Sequence, residues 1–141
     1  MPEEPMNRDD LAALLRDAFA PWIHQLDLQI GETTETGMGF VMPENPDLSR
    51  EGGIVCGQSI AAAADTVGVL VLAAKNNRFR QMTTVDMTSN FMRPLMKGDV
   101  QITVTVLSNG RRMATTRVDF WQQNPAKIGA TATCVYAYLD G

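Results

Sequence analysis

One stretch limits the fold more than any other: Gly52 to Asn76, GGIVCGQSIAAAADTVGVLVLAAKN. Between Ser59 and Ala74 every residue is apolar or small except Ser59, Asp65 and Thr66, and Asp65 is the only charge. The pattern predicts a helix over Ser59–Lys75, a rod of roughly 25 Å at 1.5 Å per residue. A helix that is apolar on every side belongs in the interior of a fold. A lone carboxylate there is expensive unless it is hydrogen-bonded, kept neutral or put to use. An all-apolar helix gains nothing structurally from an acid, so Asp65 reads as a chemical group. The plainer alternative is a carboxylate bonded to Ser or Thr neighbours in a core.

The rest of the chain is organised around that rod. Residues Met1–Pro5 carry no periodic pattern and are expected to be loose. Asn7 or Asp9 can cap a short helix with Leu11, Leu14, Leu15 and Phe19 on one stripe, ended by Pro21. Residues 1–20 therefore form an arm, and 21–141 the main domain. Trp22–Glu32 and Thr36–Met42 read as two strands, and Pro43–Gly53, with two prolines and two glycines, as a loop. After the helix everything looks like strand. Phe79–Phe91 places Thr83, Val85, Met87 and Phe91 on one face, and Met82, Thr84, Asp86, Thr88 and Asn90 on the other. Val100–Val106 alternates, Ser108-Asn109-Gly110 is a hairpin turn, and Arg112–Gln122 and Lys127–Leu139 follow. Four strands with short connections imply an antiparallel meander. The expected class is α+β: a curled antiparallel sheet of five to six strands wrapped around one long central helix, with a short N-terminal helix. Alanines 61 to 64 let a sheet approach the helix closely. Such a sheet leaves bare edges, and pairing one with a second copy is the simplest cure, so a homodimer is expected.

Composition excludes several function classes. The formal net charge is −4, with no basic run, which argues against a non-specific nucleic-acid binder. The acidic N-terminus has no apolar core of the kind a secretory leader needs. The longest apolar run, Val67–Ala74, is too short to span a bilayer, so no membrane partner is expected. Cys56 and Cys134 lack C-x-x-C spacing and read as free thiols of a cytoplasmic protein. His24 is the single histidine, which rules out multi-histidine metal sites; no metal and no cofactor are expected.

Two motifs carry a resemblance. Gly53-Ile-Val-Cys56-Gly57-Gln58 followed by Ala64-Asp65-Thr66 resembles the G-x-x-H-G-G, six residues, acid pattern of the PaaI-type acyl-CoA thioesterases of the hotdog fold. Thr84-Val85-Asp86-Met87 through Phe91-Met92-Arg93-Pro94 to Gly98-Asp99 is similar to the same family's T-x-D…F-L-R-P…G-D stretch. Cys56 stands where the family usually has His, Gln58 where it has a second Gly, and Arg50 where many members have an amide. The resemblance implies hydrolysis of a small or medium acyl-CoA thioester at a site shared across a dimer. The runner-up is a non-catalytic acyl-CoA or small-ligand binding protein of the same fold.

The chemistry can be read residue by residue. The backbone N–H of Gly57, at a helix N-terminus, suits an oxyanion donor; a tight turn into the helix would equally use a glycine. Asp65 is the candidate general base or nucleophile. Thr84 matches a Ser/Thr position that holds the water in relatives, although threonine is also simply a good strand former. Gly57 and Asp65 lie eight residues apart, about 12 Å along one helix, and cannot easily act on one atom; the resemblance implies that the two come from different subunits, so each is expected to work with the other from the partner subunit. Cys56 and Gln58 flank the glycine as candidate substrate contacts. A thiol at a helix start invites a nucleophilic reading, but no base is evident for it. Arg93, Arg111 and Arg112 are candidates for the phosphates of coenzyme A, with Arg78 and Arg80 as further cations. A dimer of such dimers is a further possibility.

Overall fold

A computed structural model describes residues 6–140 of the 141; the expectation for Met1–Pro5 lies outside the described residues. The first element is α1, Arg8–Asp17, closed by a reciprocal capping box between Asn7 and Asp10. Leu11 is buried, and Leu14, Leu15 and Phe19 lie half-buried against the core.

The expected strand over Trp22–Glu32 is two elements. Pro21–Leu26 forms a 3-10 turn, and only Gln29–Thr33 is strand, β1. Pro21 pre-sets the helical φ at its start. Ile23 and Leu26 are three apart, the period of a 3-10 turn rather than of a strand, and both are buried. Asp27, at φ +50°, turns the chain out of it. His24 lies in this turn with Nε2 2.9 Å from the Arg16 carbonyl.

The remaining elements are β2 Gly37–Met42, α2 Gly57–Asn76, β3 Met82–Phe91, β4 Val100–Asn109, β5 Met113–Trp121 and β6 Ala130–Tyr138. All six strands form one antiparallel sheet in the order β1-β2-β4-β5-β6-β3. The meander therefore holds only for β4, β5 and β6. The segment 92–99, between β3 and β4, carries the chain from the β3 edge past β6 and β5 to β4 inside the sheet. It passes the start of α2, where buried Leu95 accepts from Val55 N–H at 2.8 Å and its side chain packs on Gly129. The link contains Arg93-Pro94 and Lys97-Gly98, whose turn chemistry was legible, but its length permits a crossover that turn residues alone do not reveal.

The sheet curls around α2. Phe40, Ile102, Val118 and Phe120 of the sheet and Val67, Leu70 and Val71 of the helix are buried in one core, and the small side chains of Ala130 and Ala132 on β6 allow close approach. At 20 residues α2 is long and apolar enough to cross a bilayer by length and composition; here the sheet covers most of it. One stripe is left partly open. Gly57, Ala61, Asp65 and Val69, each four residues on from the last, are only half-buried. Asp65 is thus at the margin of the core and not inside it, as the all-apolar pattern suggested.

β3 is an outer strand of ten residues, exposed along most of its length. Its face assignment from simple alternation fails at a bulge: Thr84 pairs with Tyr136, but Asp86 pairs with Val135. The extra residue flips the later side chains, so Met82, Thr84, Met87, Ser89 and Phe91 share the face toward the helix. Period-2 reasoning could not have located it.

Candidate active site

The start of α2 is fixed by a small hairpin over residues 48–56. Cys56 N–H donates to Leu48 O at 3.0 Å, and Arg50 N–H to Ile54 O at 2.8 Å. Gly52 and Gly53, at φ +87° and +77°, make the tip, a left-handed conformation that favours glycine. Cys56 is the N-cap of α2, but its side chain does not cap. Its Sγ lies 3.0 Å from Ser59 Oγ, and the Ser59 hydroxyl donates to Leu48 O at 3.0 Å. Serine has one proton, so the thiol is the donor in the first contact.

Ser59 and Ile60 N–H both reach Cys56 O, at 3.1 and 3.3 Å. The N–H groups of Gly57 and Gln58 bond to none of the described residues. They are the orphan donors that every helix start leaves, with the positive end of the helix dipole behind them. The Gln58 side chain is exposed.

Gly57 opens onto a cleft of about 330 Å³. Ile60, Val55 and Leu95 line it, together with Phe91 and Met92 from the end of β3. A Cβ on Gly57 would stand 3.5 Å from the Phe91 ring. Among the described residues, the cleft walls carry two cations, Arg50 and Arg93, and no acid. Arg93 has no ion pair or side-chain hydrogen bond to the described residues, and the one contact of Arg50 is a long 3.4 Å to Glu51 O. Arg50 and Val55 also border a second cleft of about 280 Å³, floored by Met42, Leu48 and Val100 with Lys97 at its edge.

Two turns further along α2, Asp65 Oδ1 accepts from Thr84 Oγ1 at 2.7 Å. Helix and sheet thus bring together two residues that sequence singled out separately. The bond directs one carboxylate oxygen toward β3. Among the described residues, no group of three or more His, Cys, Asp or Glu side chains is placed to hold a metal ion.

Arg111 and Arg112 lie elsewhere, in the exposed β4–β5 turn at the far end of α2. That turn is tied to the helix end by Asn109 Nδ2, which donates to Asn76 Oδ1 at 2.9 Å. Arg80 is engaged there, paired with Asp140 at 2.8 Å and stacked 3.6 Å over the Tyr138 ring. In one chain the candidate residues therefore form three groups: Cys56, Gly57, Gln58 and Arg93 at the helix start, Asp65 with Thr84 in the middle, and Arg111 with Arg112 at the end. Sequence reasoning passed over Phe91 and Arg50 as cleft walls. Phe91 was within reach, since an exposed aromatic at the end of a strand invites a ligand; the bulge that aims it was not.

Comparison with known proteins bears on the same arrangement. Residues 51–137, more than half of the chain, match the family described as the acyl-CoA thioesterase N-terminal domain. A Saccharolobus solfataricus protein named "Putative esterase" is 30% identical over 99 residues, 70% of this chain and 69% of that protein. Among solved structures, the Haemophilus influenzae thioesterase superposes with a TM-score of 0.83 at 18% identity, covering 98% of this chain and 94% of its own. Zebrafish thioesterase superfamily member 2 gives 0.80 at 19%, covering 94% and 99%. A phenylacetic acid degradation-related protein of Ralstonia eutropha gives 0.76 at 21%, covering 90% and 98%. The helix wrapped by six antiparallel strands is the hotdog fold that these structures share. On the family match, this chain belongs to the hotdog-fold acyl-CoA thioesterases, a family of thioester hydrolases.

Proposed function

We propose that the chain is an acyl-CoA thioesterase for small or medium acyl groups, working at two sites shared between the subunits of a homodimer. The observation that carries this reading is the open stripe of α2, which bears both the unbonded Gly57 N–H and the Asp65 carboxylate. The thioester carbonyl sits at Gly57, whose N–H stabilises the oxyanion as charge develops. Asp65 takes a proton from water, which adds to the carbonyl carbon, or attacks that carbon itself to give a mixed anhydride that water then opens. Coenzyme A leaves as the thiol. Thr84 holds one oxygen of Asp65 and leaves the other for the water.

One chain cannot do this alone, because the two groups are about 12 Å apart along the helix. β3 supplies the remedy. It is a ten-residue outer strand with Val85 and Phe91 more than half exposed, an edge that invites pairing. Thr84 marks the position of Asp65 on this strand, and Phe91 marks that of Gly57. Antiparallel pairing of Thr84 with Phe91 of the partner subunit brings Asp65 beside Gly57 of the partner subunit. Counting the bulge as one step, Thr88 then faces Thr88 of the partner subunit, on the twofold axis. This register keeps helix-facing side chains opposite one another throughout. Arg50 and Arg93 give the cleft a positive wall for an anionic substrate. Arg111 and Arg112 of the partner subunit are the second set of cations for the phosphates of coenzyme A.

An acyl-CoA panel with thiol detection tests the activity, and Asp65→Asn tests the mechanism. The substitution should lower turnover by about 10²-fold or more while the fold and dimer persist. A folded Asp65→Asn protein with wild-type turnover would refute the mechanism. Tight binding of acyl-CoA with no thiol released by the wild type would select the non-catalytic alternative. For the dimer, Thr88→Cys should form a symmetric disulfide-linked pair under mild oxidation, whereas Thr83→Cys should not.

A further inference from the structure

Asp65 is held at two points, and only one of them is its side chain. Thr84 donates to the carboxylate at 2.7 Å, and Tyr136 Oη donates to the backbone carbonyl of the same residue at 3.0 Å. The two hydroxyls are not independent, because Thr84 and Tyr136 are directly opposite one another on β3 and β6. A single cross-strand pair therefore grips both the main chain and the side chain of one acid. Tyr136 is fully buried, and burial pushes its phenol well above the usual range, so it remains a protonated donor at any working pH.

The helix makes room for this contact. Gly68 lies one turn after Asp65, and a Cβ there would overlap Tyr136 Oη. Thr116 Oγ1, 3.1 Å from the same point and buried without a partner among the described residues, closes the other side of the notch. No turn or positive φ calls for glycine at position 68, which is in mid-helix, where glycine costs about 1 kcal/mol relative to alanine. The notch leaves the room in which the tyrosine reaches the Asp65 carbonyl.

We infer that Tyr136 is a positioning residue for the reaction: the Thr84–Tyr136 pair and the Gly68 notch form a two-point clamp that fixes where Asp65 meets the substrate. This rests on the thioesterase reading above. Tyr136→Phe should lower kcat about tenfold, the worth of one hydrogen bond in a barrier, and leave KM unchanged. Combined with Thr84→Val it should lose less than the product of the single effects, since both act through Asp65. Gly68→Ala should destabilise the fold by displacing Tyr136. Adding Tyr136→Phe to Gly68→Ala removes the overlapping oxygen and leaves only the tight contacts of 3.0 Å to the ring and 3.1 Å to Thr116, so the double variant should recover part of the stability and still show the reduced kcat.

Wild-type kcat in folded Tyr136→Phe, or recovery of kcat along with stability in the double variant, would reduce Tyr136 to packing and overturn the clamp. Hydrogen exchange separates this from failure of the functional reading. In Tyr136→Phe the amides of the Asp65–Val69 turn should exchange at least several-fold faster, with the far end of α2 unchanged. That result is readable even if the wild type hydrolyses no acyl-CoA, in which case the thioesterase reading falls and the clamp stands. Unchanged exchange would remove the clamp whatever the activity.

Discussion

The two ends of α2 are built on opposite plans. At the C-terminal end polar groups close on one another. Asn76 Nδ2 donates to Tyr138 Oη at 3.0 Å, Tyr138 Oη donates to Asn109 Oδ1 at 2.6 Å, and Asn109 Nδ2 returns to Asn76 Oδ1 at 2.9 Å. Asn77, at φ +58°, ends the helix, and Lys75 Nζ caps the Thr34 carbonyl at 3.0 Å. At the N-terminal end the cap side chain is a thiol that bonds elsewhere, two N–H groups stand open, and two guanidinium groups line an apolar cleft. One end spends its polar groups on holding the fold. The other leaves two N–H donors and the Arg93 guanidinium without partners among the described residues, open to water or to a ligand. The contrast separates residues whose loss should cost stability from those whose loss should cost turnover.

The sharpest way to break this contrast is Gly57→Pro. Position 57 is the first of the helix, where proline is tolerated and only an orphan N–H is lost. Cys56 is already at φ −72° and ψ 149°, the conformation a residue before proline adopts. The ring's Cβ meets Phe91 at an ordinary 3.5 Å. The variant should therefore fold and dimerise normally, yet lose about 10²-fold in kcat through the missing oxyanion donor. Steady-state kinetics beside thermal unfolding checks both halves. Full turnover in folded Gly57→Pro would move the oxyanion site away from this helix.

How much of this was legible in the chain follows the same division. The helix, the hairpin at Asn109-Gly110 and the alternating strands β4, β5 and β6 are local patterns, set by burial on one face and by turn chemistry. Asp65 and Gly57 stood out because one breaks an apolar run and the other opens it. What local pattern could not supply was non-local: the placement of β3 beside β6, the bulge after Thr84, and the stripe of α2 left open. The misread 3-10 turn at Pro21–Leu26 has a different cause, since spacings of three and two were averaged into an alternation. Tyr136 was invisible for a further reason. In sequence it is one more alternating strand residue, and its meaning comes from a glycine in another element.

At the closed end the expected effect is smaller and of the other kind. Tyr138→Phe opens the three-membered ring and leaves two amide side chains without their shared partner, which should cost about 1–2 kcal/mol of stability. Denaturant midpoints at one fixed protein concentration measure it, since a dimer's stability depends on that concentration. Turnover should stay at the wild-type level. A fall in turnover with little loss of stability would mean that this end, with Arg111 and Arg112 beside it, takes part in catalysis through more than a distant phosphate contact.

The smallest effect concerns charge at that same end. The Arg80 guanidinium, 2.8 Å away, holds the Asp140 carboxyl below the usual carboxylate range, chiefly through their hydrogen bond. A carboxylate whose folded pKa is depressed contributes stability above its unfolded pKa, about 3.9, and loses it as the pH falls through the folded value. Wild type should therefore exceed Asp140→Asn slightly at pH 7, and the two should converge once the pH has fallen below the usual carboxylate range. Because the pair is still partly exposed, 1 M salt should shrink the difference at pH 7 as well. Paired unfolding curves at the two pH values, each at low and high salt, read the effect. A gap that widens on acidification would mean the ion pair opposes folding. The closed end would then carry a charge cost hidden beneath its hydrogen bonds, and the two ends of the helix would differ less than their contacts indicate.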